Sequence, residues 1–252
     1  MWDVHASPSH EVVTGLLERG ERGRLLDIPS GGGPVVEAAR RMGYDVYEVD
    51  LFPRPDLRGV QADACAPLPF RDASFDTLLS MEGIEHFEHQ AGFLRECSRV
   101  LRPGGRMILT TPNVMHLSAR LSAFMTGSRI AKQGFINEFQ TLRSNEGGKL
   151  YHGHAFLIDA FRLRYLMRIV GLELERLEFC ALSPSSAALA PICPALWLAT
   201  HASLRAGRRR LERENRRRPP PEVERELARL ALSPALLFGK KLVAVARREF
   251  ER

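Results

Sequence analysis

Short apolar runs alternate with segments of helical periodicity along most of this chain. Runs typical of strands begin at Arg24 and then lie at 44–50, near Val60, and at 74–80, 106–111, 172–182 and 240–246. Segments with the spacing of amphipathic helices lie between them, at 34–42, 90–101 and 159–170. Strands that alternate with helices predict an α/β fold, in which a mostly parallel sheet is covered on both faces.

Residues with special backbone properties mark the ends of these helices. Asp159 is placed as the N-cap of the third helix, and Gly171 as its C-terminal stop. Gly43 ends the first helix, and Pro103 to Gly105 end the second before the next strand.

The segment RLLDIPSGGG, residues 24–33, leads from the first strand into a glycine-rich turn. Gly31 and Gly33 lack the Cβ atom that would keep a ligand away from the backbone. Pro34 suits the first position of the following helix, whose N-terminal N–H groups then point at the turn. The pattern predicts a loop that holds a nucleotide-type cofactor.

The length of 252 residues and the 44% apolar content fit one α/β domain with insertions, assigned to 1–252. The four cysteines have no CxxC or metal-ligand spacing, which indicates reduced thiols rather than a disulfide framework. The first ten residues contain neither a basic leader nor an apolar core. We therefore expect a cytoplasmic location, with peripheral contact to the inner face of the membrane as an open alternative.

The net charge of +6 is concentrated in one tract. Residues 205–218 contain eight arginines and two glutamates, so the rest of the chain sums to zero. The body of the domain is therefore not a basic nucleic-acid clamp, and this tract is where an anionic partner would bind.

Four segments together resemble the motifs of class I S-adenosylmethionine-dependent methyltransferases of the bacterial type 11 and ubiquinone-pathway group. In chain order they read LLDIPSGGGP, EVD, QADACAPLPFRDASFDTLLSMEGIEHF and SRVLRPGGRMILTTPN. The resemblance covers roughly residues 20–182 and the final strand. It implies a Rossmann-like sheet of seven mostly parallel strands with helices on both faces, an antiparallel last strand and a helical insertion before that strand.

The resemblance also implies S-adenosyl-L-methionine as cofactor and a set of residues around it. They are Asp27, Ile28, Pro29, Gly31, Gly33, Asp50, Leu51, Asp63, Ala64, Ser80 and Met81. In this scheme Asp27 lies near the methionine ammonium group and Asp50 accepts hydrogen bonds from the ribose hydroxyls. Asp63 with Ala64 contacts the adenine amino group, while Leu51 or Phe52 packs on the adenine ring. Pro29 departs from the family, which often has the first loop glycine there, and we interpret it as a variant of the turn.

The string MEGIEHF supplies the candidate catalytic residues. Glu82, Glu85 and His86 have the i, i+3, i+4 spacing that puts side chains on one side of a helical turn. Such a face suits either a general base, His86, acting on an alcohol or phenol, or a divalent metal with oxygen ligands. The string is similar to the ExxEH turn of ubiquinone-pathway O-methyltransferases and small-RNA 2′-O-methyltransferases, where these positions can hold a metal. A helix start favoured by acids, with His86 bonded to the backbone, is the alternative without catalysis.

Residues 113–155 form an insertion that is longer than a simple connection and is predicted to cover the acceptor pocket. Its polar, cationic and aromatic residues suit a polar acceptor with an anionic group, such as a nucleotide sugar or a lipid-linked glycan. His154 is assigned to catalysis, and His152 or His154 is the further ligand if a metal binds. The residues that carry this prediction are Asn113, Arg120, Phe124, Arg129, Lys132, Phe135, Asn137, Tyr151, His152 and His154.

A second insertion, residues 183–238, begins with an uncharged segment that contains Trp197 and continues into the arginine tract. Pro184, Pro191 and Pro194 argue against a straight membrane-spanning helix. An apolar helix followed by arginines instead favours docking of 183–218 on an anionic membrane surface. The alternatives are packing on the domain or on a second subunit. Nucleic acid is disfavoured, because the tract lacks interleaved aromatic residues.

These features predict a methyltransferase that acts on an oxygen atom of a small polar or lipid-linked acceptor, such as a surface-glycan sugar. A methyltransferase for a quinone-type or other hydrophobic phenol is the enzymatic alternative. The alternative outside the enzymes is a scaffold protein that binds the cofactor without turnover, which Pro29 and the incomplete glycine pattern support. The oligomeric state is left open.

Overall fold

A computed structural model describes residues 7–52, 59–128, 136, 141–143, 150–214, 216 and 218–250, with the backbone alone for 141–143 and 150–152. Seven strands form the main sheet: β1 (Arg24–Asp27), β2 (Asp45–Asp50), β3 (Gly59–Gln61), β4 (Phe75–Met81), β5 (Leu101–Pro112), β8 (Leu172–Glu178) and β9 (Lys241–Arg248). A separate pair consists of β6 (Thr141–Arg143) and β7 (Leu150–His152).

The described helices lie on both faces of the sheet and in the two insertions. They are α1 (Pro8–Glu18), α2 (Pro34–Arg41), α3 (Gln90–Val100), α4 (Leu117–Thr126), α5 (Ala160–Ile169), α6 (Pro184–Ala187), α7 (Cys193–Arg213), α8 (Pro221–Ala231) and α9 (Pro234–Phe238). Short 3-10 turns span Ile84–His86, His154–Phe156 and Ala190–Ile192.

The strand order is β3-β2-β1-β4-β5-β9-β8, in which β9 alone runs against the other strands of this sheet. The predicted fold class is confirmed, including the antiparallel last strand. Between β1 and β4 the order of the strands reverses. In open α/β sheets ligands bind at such a point, outside the carboxyl ends of the strands. The topology therefore places a candidate site beyond Asp27 and Met81.

Adjacent residues of each central strand contribute to two different cores, because side chains alternate across a sheet. Leu25 packs with Val13 of α1 and Val35 of α2 on one face. Leu26 packs with Phe93 of α3 and Leu163 of α5 on the other. The apolar runs seen in the sequence follow from this burial on both faces.

Several element boundaries differ from the sequence prediction, and four of the described helices, α1, α4, α6 and α9, were not predicted. Helix α3 ends at Val100, because Leu101 already pairs with Phe75 in the sheet. The Pro103–Gly105 segment lies inside β5, at an irregular stretch where Gly104 has φ +77°. The predicted N-cap is present, since the Asp159 carboxylate accepts hydrogen bonds from the first turn of α5.

The second insertion leaves and re-enters the sheet at one point. The N–H of Ser183 donates to the carbonyl of Phe238 at 2.8 Å, and Leu182 forms an isolated bridge with Gly239. The insertion is thus a loop whose two ends are joined by main-chain hydrogen bonds. Within the described part of the chain, no helix has both the length and the apolar character needed to cross a bilayer.

Asn113, predicted to line the acceptor pocket, is instead buried and structural. Its Nδ2 donates to the carbonyls of Leu236 at 2.9 Å and Gly239 at 2.7 Å, and its Oδ1 accepts from the N–H of Met115 at 2.9 Å. The side chain therefore joins the end of β5 to the end of the second insertion, and the prediction for this residue was wrong.

Candidate active site

The glycine-rich loop after β1 is fixed to β2 by Ser30. Its N–H donates to the carbonyl of Val49 at 2.8 Å, and its Oγ donates to Oε1 of Glu48 at 2.8 Å. Glu48 is almost fully buried and also pairs with Arg40 of α2. Sequence reasoning missed both Ser30 and Glu48. The available signal was an acid two positions before Asp50, on the same side of the strand.

The two glycines singled out in the sequence border open space. A Cβ atom built on Gly31 or on Gly33 meets no described atom within 4 Å. Gly33 also has φ +105°, a conformation that favours glycine. The backbone of the loop is thus accessible to a ligand, next to the N-terminus of α2.

Pro29 packs against the segment that follows β4. A Cβ atom on Gly83 would lie 2.4 Å from Cδ of Pro29, so this approach requires a glycine at 83. The two loops at the strand-order reversal therefore touch through the ring of Pro29.

The three predicted acids lie at the carboxyl ends of neighbouring strands. Asp27 is buried at the end of β1. Oδ1 of Asp50 accepts from the N–H of Phe52 at 2.9 Å, and Oδ1 of Asp63 accepts from the N–H of Cys65 at 2.8 Å. Each of the latter two carboxylates is oriented by its own loop. Phe52, 38% exposed, and half-buried Leu51 are the candidates for packing on an adenine ring.

The remaining predicted cofactor residues differ in accessibility. Ile28 is fully buried and its N–H donates to the carbonyl of Leu79, so its side chain belongs to the core. Ala64 is buried and Met81 is half-buried. Ser80 is fully buried, and its Oγ has no hydrogen-bond partner among the described residues.

Glu82 does not share a helical turn with Glu85 and His86, contrary to the expectation from their spacing. Glu82 has φ +49°, a backbone conformation that interrupts helical geometry. The 3-10 turn Ile84–His86 therefore begins only after it. Oε1 of Glu82 accepts from Oγ1 of Thr110 at 2.8 Å, and its Oε2 lies 3.2 Å from Nζ of Lys241. Lys241 was not predicted, since it reaches the site only through the return of the last strand.

His86 has a defined tautomer. Its Nδ1 lies 3.2 Å from the carbonyl oxygen of Gly153, which can only accept a hydrogen bond. In the neutral imidazole the proton is therefore on Nδ1 and the lone pair on Nε2. The ring lies 5.2 Å from that of His154, between centroids. Burial, and then His86, lower the pKa of His154. The two catalytic histidines expected from the sequence are thus neighbours in the fold.

Gln90 holds these two segments together. Its buried amide donates to the carbonyl of Ile84 at 3.0 Å and to that of Phe156 at 2.6 Å. One side chain at the start of α3 therefore fixes the turn that carries His86 against the turn that carries His154. The local sequence pattern contains no signal for this role.

Glu85 is a buried carboxyl group. Its Oε2 accepts from Oγ1 of Thr111 at 2.9 Å, whereas its Oε1 has no hydrogen-bond partner among the described residues. Burial, and then the charge of Glu82, raise the pKa of Glu85 to about 8. Glu85 is therefore mainly protonated at neutral pH. One potential ligand atom from each of Glu85, His86 and His154 lies within 4.8 Å of the others.

The predicted acceptor lid is described only in part. Arg120 is half-buried, and its Nε donates to the carbonyl of Met115 at 2.7 Å, whereas Phe124 is 84% exposed on α4. The other residues of that prediction lie outside the described residues or have undescribed side chains: Arg129, Lys132, Phe135, Asn137, Tyr151 and His152.

The strand order, the open glycine turn after β1 and the acids at the following strand ends agree with what the resemblance to class I methyltransferases implies. Residues 26–109 match the family model described as a methyltransferase domain. This segment is therefore an S-adenosylmethionine-dependent methyltransferase domain, and the resemblance predicted from the sequence is confirmed for it.

Two relatives show the extent of the sequence similarity. A ubiquinone biosynthesis O-methyltransferase of Sinorhizobium medicae is 36% identical over 116 residues, which cover 40% of this chain and 46% of the relative. A probable S-adenosylmethionine-dependent methyltransferase of Mycolicibacterium smegmatis is 39% identical over 116 residues, covering 41% and 44%. The chain thus spans less than half the length of these curated relatives.

Solved structures share the fold over nearly the whole chain. A putative methyltransferase of Bacillus halodurans matches with a TM-score of 0.55 and 16% identity, covering 96% of this chain and 99% of that one. The 1,6-didemethyltoxoflavin-N1-methyltransferase of Burkholderia thailandensis, solved with S-adenosylhomocysteine, matches with a TM-score of 0.51 and 16% identity, covering 98% and 80%. At this identity the likeness concerns the fold alone.

The raised pKa of Glu85 predicts a pH-dependent stability that Glu85→Gln removes. The folded state holds the proton more tightly than the unfolded state, so this stabilisation is complete below the unfolded pKa and is lost as pH rises through about 8. Relative to the variant, we expect the wild-type free energy of unfolding to decrease by on the order of a few kcal/mol between about pH 5 and pH 9.

Urea denaturation with a chelator present measures this difference. The control is Glu37→Gln, which alters an exposed carboxyl group on α2 and should keep the wild-type pH dependence. Parallel pH profiles for wild type and Glu85→Gln would contradict a protonated, buried Glu85.

Proposed function

We propose that the chain transfers a methyl group from S-adenosylmethionine to a hydroxyl oxygen of a small, lipophilic acceptor, with His86 as the general base. One observation carries the proposal. The imidazole of His86, with its lone pair on Nε2, lies just past the carboxyl end of β4, and the open glycine loop follows the adjacent strand β1.

The residues present fit the cofactor. The space beside Gly31 and Gly33 admits a ligand to the backbone, and the loop-oriented carboxylates of Asp50 and Asp63 are suited to hydroxyl and amino groups. Asp27, at the end of β1, is the candidate for the ammonium group. When bound, S-adenosylmethionine supplies an electrophilic methyl group on a positively charged sulfur.

Beyond the cofactor, the reaction requires that the acceptor oxygen be positioned at the methyl carbon and that one proton be transferred. As the acceptor oxygen bonds to the methyl carbon and the bond from that carbon to sulfur breaks, the hydroxyl proton passes to Nε2 of His86. The Nδ1 hydrogen bond to the carbonyl of Gly153 fixes the ring and favours the protonated imidazole that results. Glu85 already holds its own proton near neutral pH, and Glu82 is engaged by Lys241, so neither competes with His86 as base.

A quinone-type phenol is the acceptor class we favour. A phenol has a pKa of about 10, as in tyrosine, and transfers its proton to an imidazole far more readily than a sugar alcohol does. The relative from Sinorhizobium medicae is named for ubiquinone biosynthesis, which supports the same class. A lipid-linked glycan hydroxyl, the acceptor first expected from the sequence, is the second class of acceptor to be assayed.

Replacement of Asp50 tests the cofactor half of the proposal. We expect Asp50→Ala to weaken S-adenosylhomocysteine binding roughly 10- to 100-fold, because hydrogen bonds to a charged carboxylate are lost. Titration calorimetry measures the affinity. Asp45→Ala removes an exposed acid from the other end of β2 and should bind like wild type. Equal affinities for wild type and Asp50→Ala would refute the placement of the ribose.

Replacement of His86 tests the catalytic half. Methyl transfer to the preferred acceptor, followed by mass spectrometry, should fall roughly 100- to 10,000-fold in His86→Ala, since general-base catalysis contributes that much. Binding of S-adenosylhomocysteine should remain within about threefold. His89→Ala, at an exposed position three residues away, is the control. Cofactor binding by wild type without transfer to any phenol or glycan would instead favour the non-catalytic scaffold.

A cation held by Glu85, His86 and His154 is a second candidate, favoured by their ligand distances and by the orphaned Oε1 of Glu85. Two imidazoles and one carboxylate suit Zn²⁺ or Mn²⁺ better than Mg²⁺, which prefers oxygen ligands. Such an ion would polarise the acceptor hydroxyl and stabilise its anion.

Calorimetric titration with Zn²⁺ and Mn²⁺ tests this cation site. Affinity should fall at least roughly tenfold in His154→Ala and in Glu85→Gln, since each removes a ligand. His89→Ala again serves as the control. No heat with either ion, or equal heats in all variants, would eliminate the site.

A further inference from the structure

Helix α7 presents one face to the protein and the opposite face to solvent. Five of its six half-buried positions recur at helical spacing on the side toward the body: Cys193, Leu196, Thr200, Leu204 and Leu211. The sixth, His201, lies at the edge of this side. The opposite side is exposed throughout, and we call it the outer face: Leu198, Ala202, Arg205, Arg209 and Arg213. Because its residues are spaced by three or four, they form one continuous stripe.

The arginines of the outer face differ from the other arginines of the tract. Among the described residues, Arg205, Arg209 and Arg213 have no ion pair, although they stand four residues apart and repel one another. The arginines that do form ion pairs within the tract or to α8 are Arg208 with Glu224, Arg210 and Arg216 with Glu214, and Arg218 with Glu212. Within the described part of the tract, the positive charge without an internal partner is therefore concentrated on the outer face.

The N-terminal half of the same helix is exposed and apolar. Leu198, on the outer face, is 63% exposed. Trp197, on the side of the half-buried positions, is 51% exposed, and Ile192 just before the helix is 43% exposed. The 21 residues of α7 span about 30 Å, so apolar groups occupy one half of this length and arginines the other. Apolar and aromatic groups beside arginines are typical of helices that lie in a membrane interface.

Ion pairs attach this helix to the catalytic domain. Arg208 pairs with Glu224 of α8, and Arg164 of α5 binds Glu226 of α8 through two hydrogen bonds of 2.5 Å. The insertion emerges after β8 and returns at Lys241, which lies at the carboxyl end of β5. It therefore leaves the sheet at the same edge as the candidate active site.

We propose that the outer face of α7 docks on the surface of an anionic lipid bilayer. The unpaired arginines would bind lipid phosphates, while Leu198 enters the headgroup region. A second copy of the chain is disfavoured, because a symmetric contact uses the same face twice and the outer face contains no carboxylate to pair with its arginines. Nucleic acid is disfavoured, because it gives the exposed apolar half no partner.

Vesicle sedimentation of the full chain tests the proposal and requires no acceptor, so its outcome is independent of the proposed reaction. We expect binding to vesicles that contain phosphatidylglycerol, little binding to pure phosphatidylcholine, and weaker binding as salt is raised. Changing Arg205, Arg209 and Arg213 together to Gln should weaken binding roughly 100-fold at low salt.

The control changes Arg210, Arg216 and Arg218 together to Gln, which removes the same charge but leaves the outer face intact. It should bind within about threefold of wild type, and both variants should keep wild-type affinity for S-adenosylhomocysteine. Equal losses in the two variants would overturn the assignment of the outer face. Absent vesicle binding, or tighter binding to a single-stranded oligonucleotide than to vesicles, would overturn the membrane proposal.

Discussion

The parallel pairing of β1 with β4 is the constraint on which the candidate site depends. It aligns Asp27 with Leu79 and so brings the glycine loop and the His86 turn to the same edge of the sheet. The amide of Gln90 then fixes the His154 turn against that edge. Main-chain pairing determines where the site lies, and one buried side chain determines which two histidines face each other.

The carboxyl groups of Glu82 and Glu85 are three residues apart, but their electrostatic environments differ because only Glu85 is buried. Glu82 stays at the edge of the site, where Lys241 and Thr110 bind it. Glu85 is enclosed, and the charge of Glu82 adds to the cost of ionising it. The pair therefore combines a fixed negative charge with a carboxyl group that holds its proton, beside an imidazole of defined tautomer.

The parts of the fold that could be predicted from sequence are those with local causes. Strand order, helix positions and the glycine loop follow from periodicity, turn residues and recognisable segments. The roles of Gln90, Lys241 and Asn113 depend on partners far away in the chain, so spacing alone does not reveal them. For the same reason Glu82 was misplaced: helical spacing describes its distance in sequence, whereas its positive φ and its bond to Thr110 decide where it points.

The closure of the second insertion has an evolutionary consequence. Because main-chain hydrogen bonds join Ser183 to Phe238, the insertion begins and ends at one point of the sheet, and α7, which has no buried residue, can change its surface chemistry without altering strand register. Mutations in α7 can therefore be selected independently of those around His86. In such a domain, substitutions in the insertion can change where the protein binds in the cell without changing its reaction. Substitutions around the active site can likewise change the substrate without changing that location.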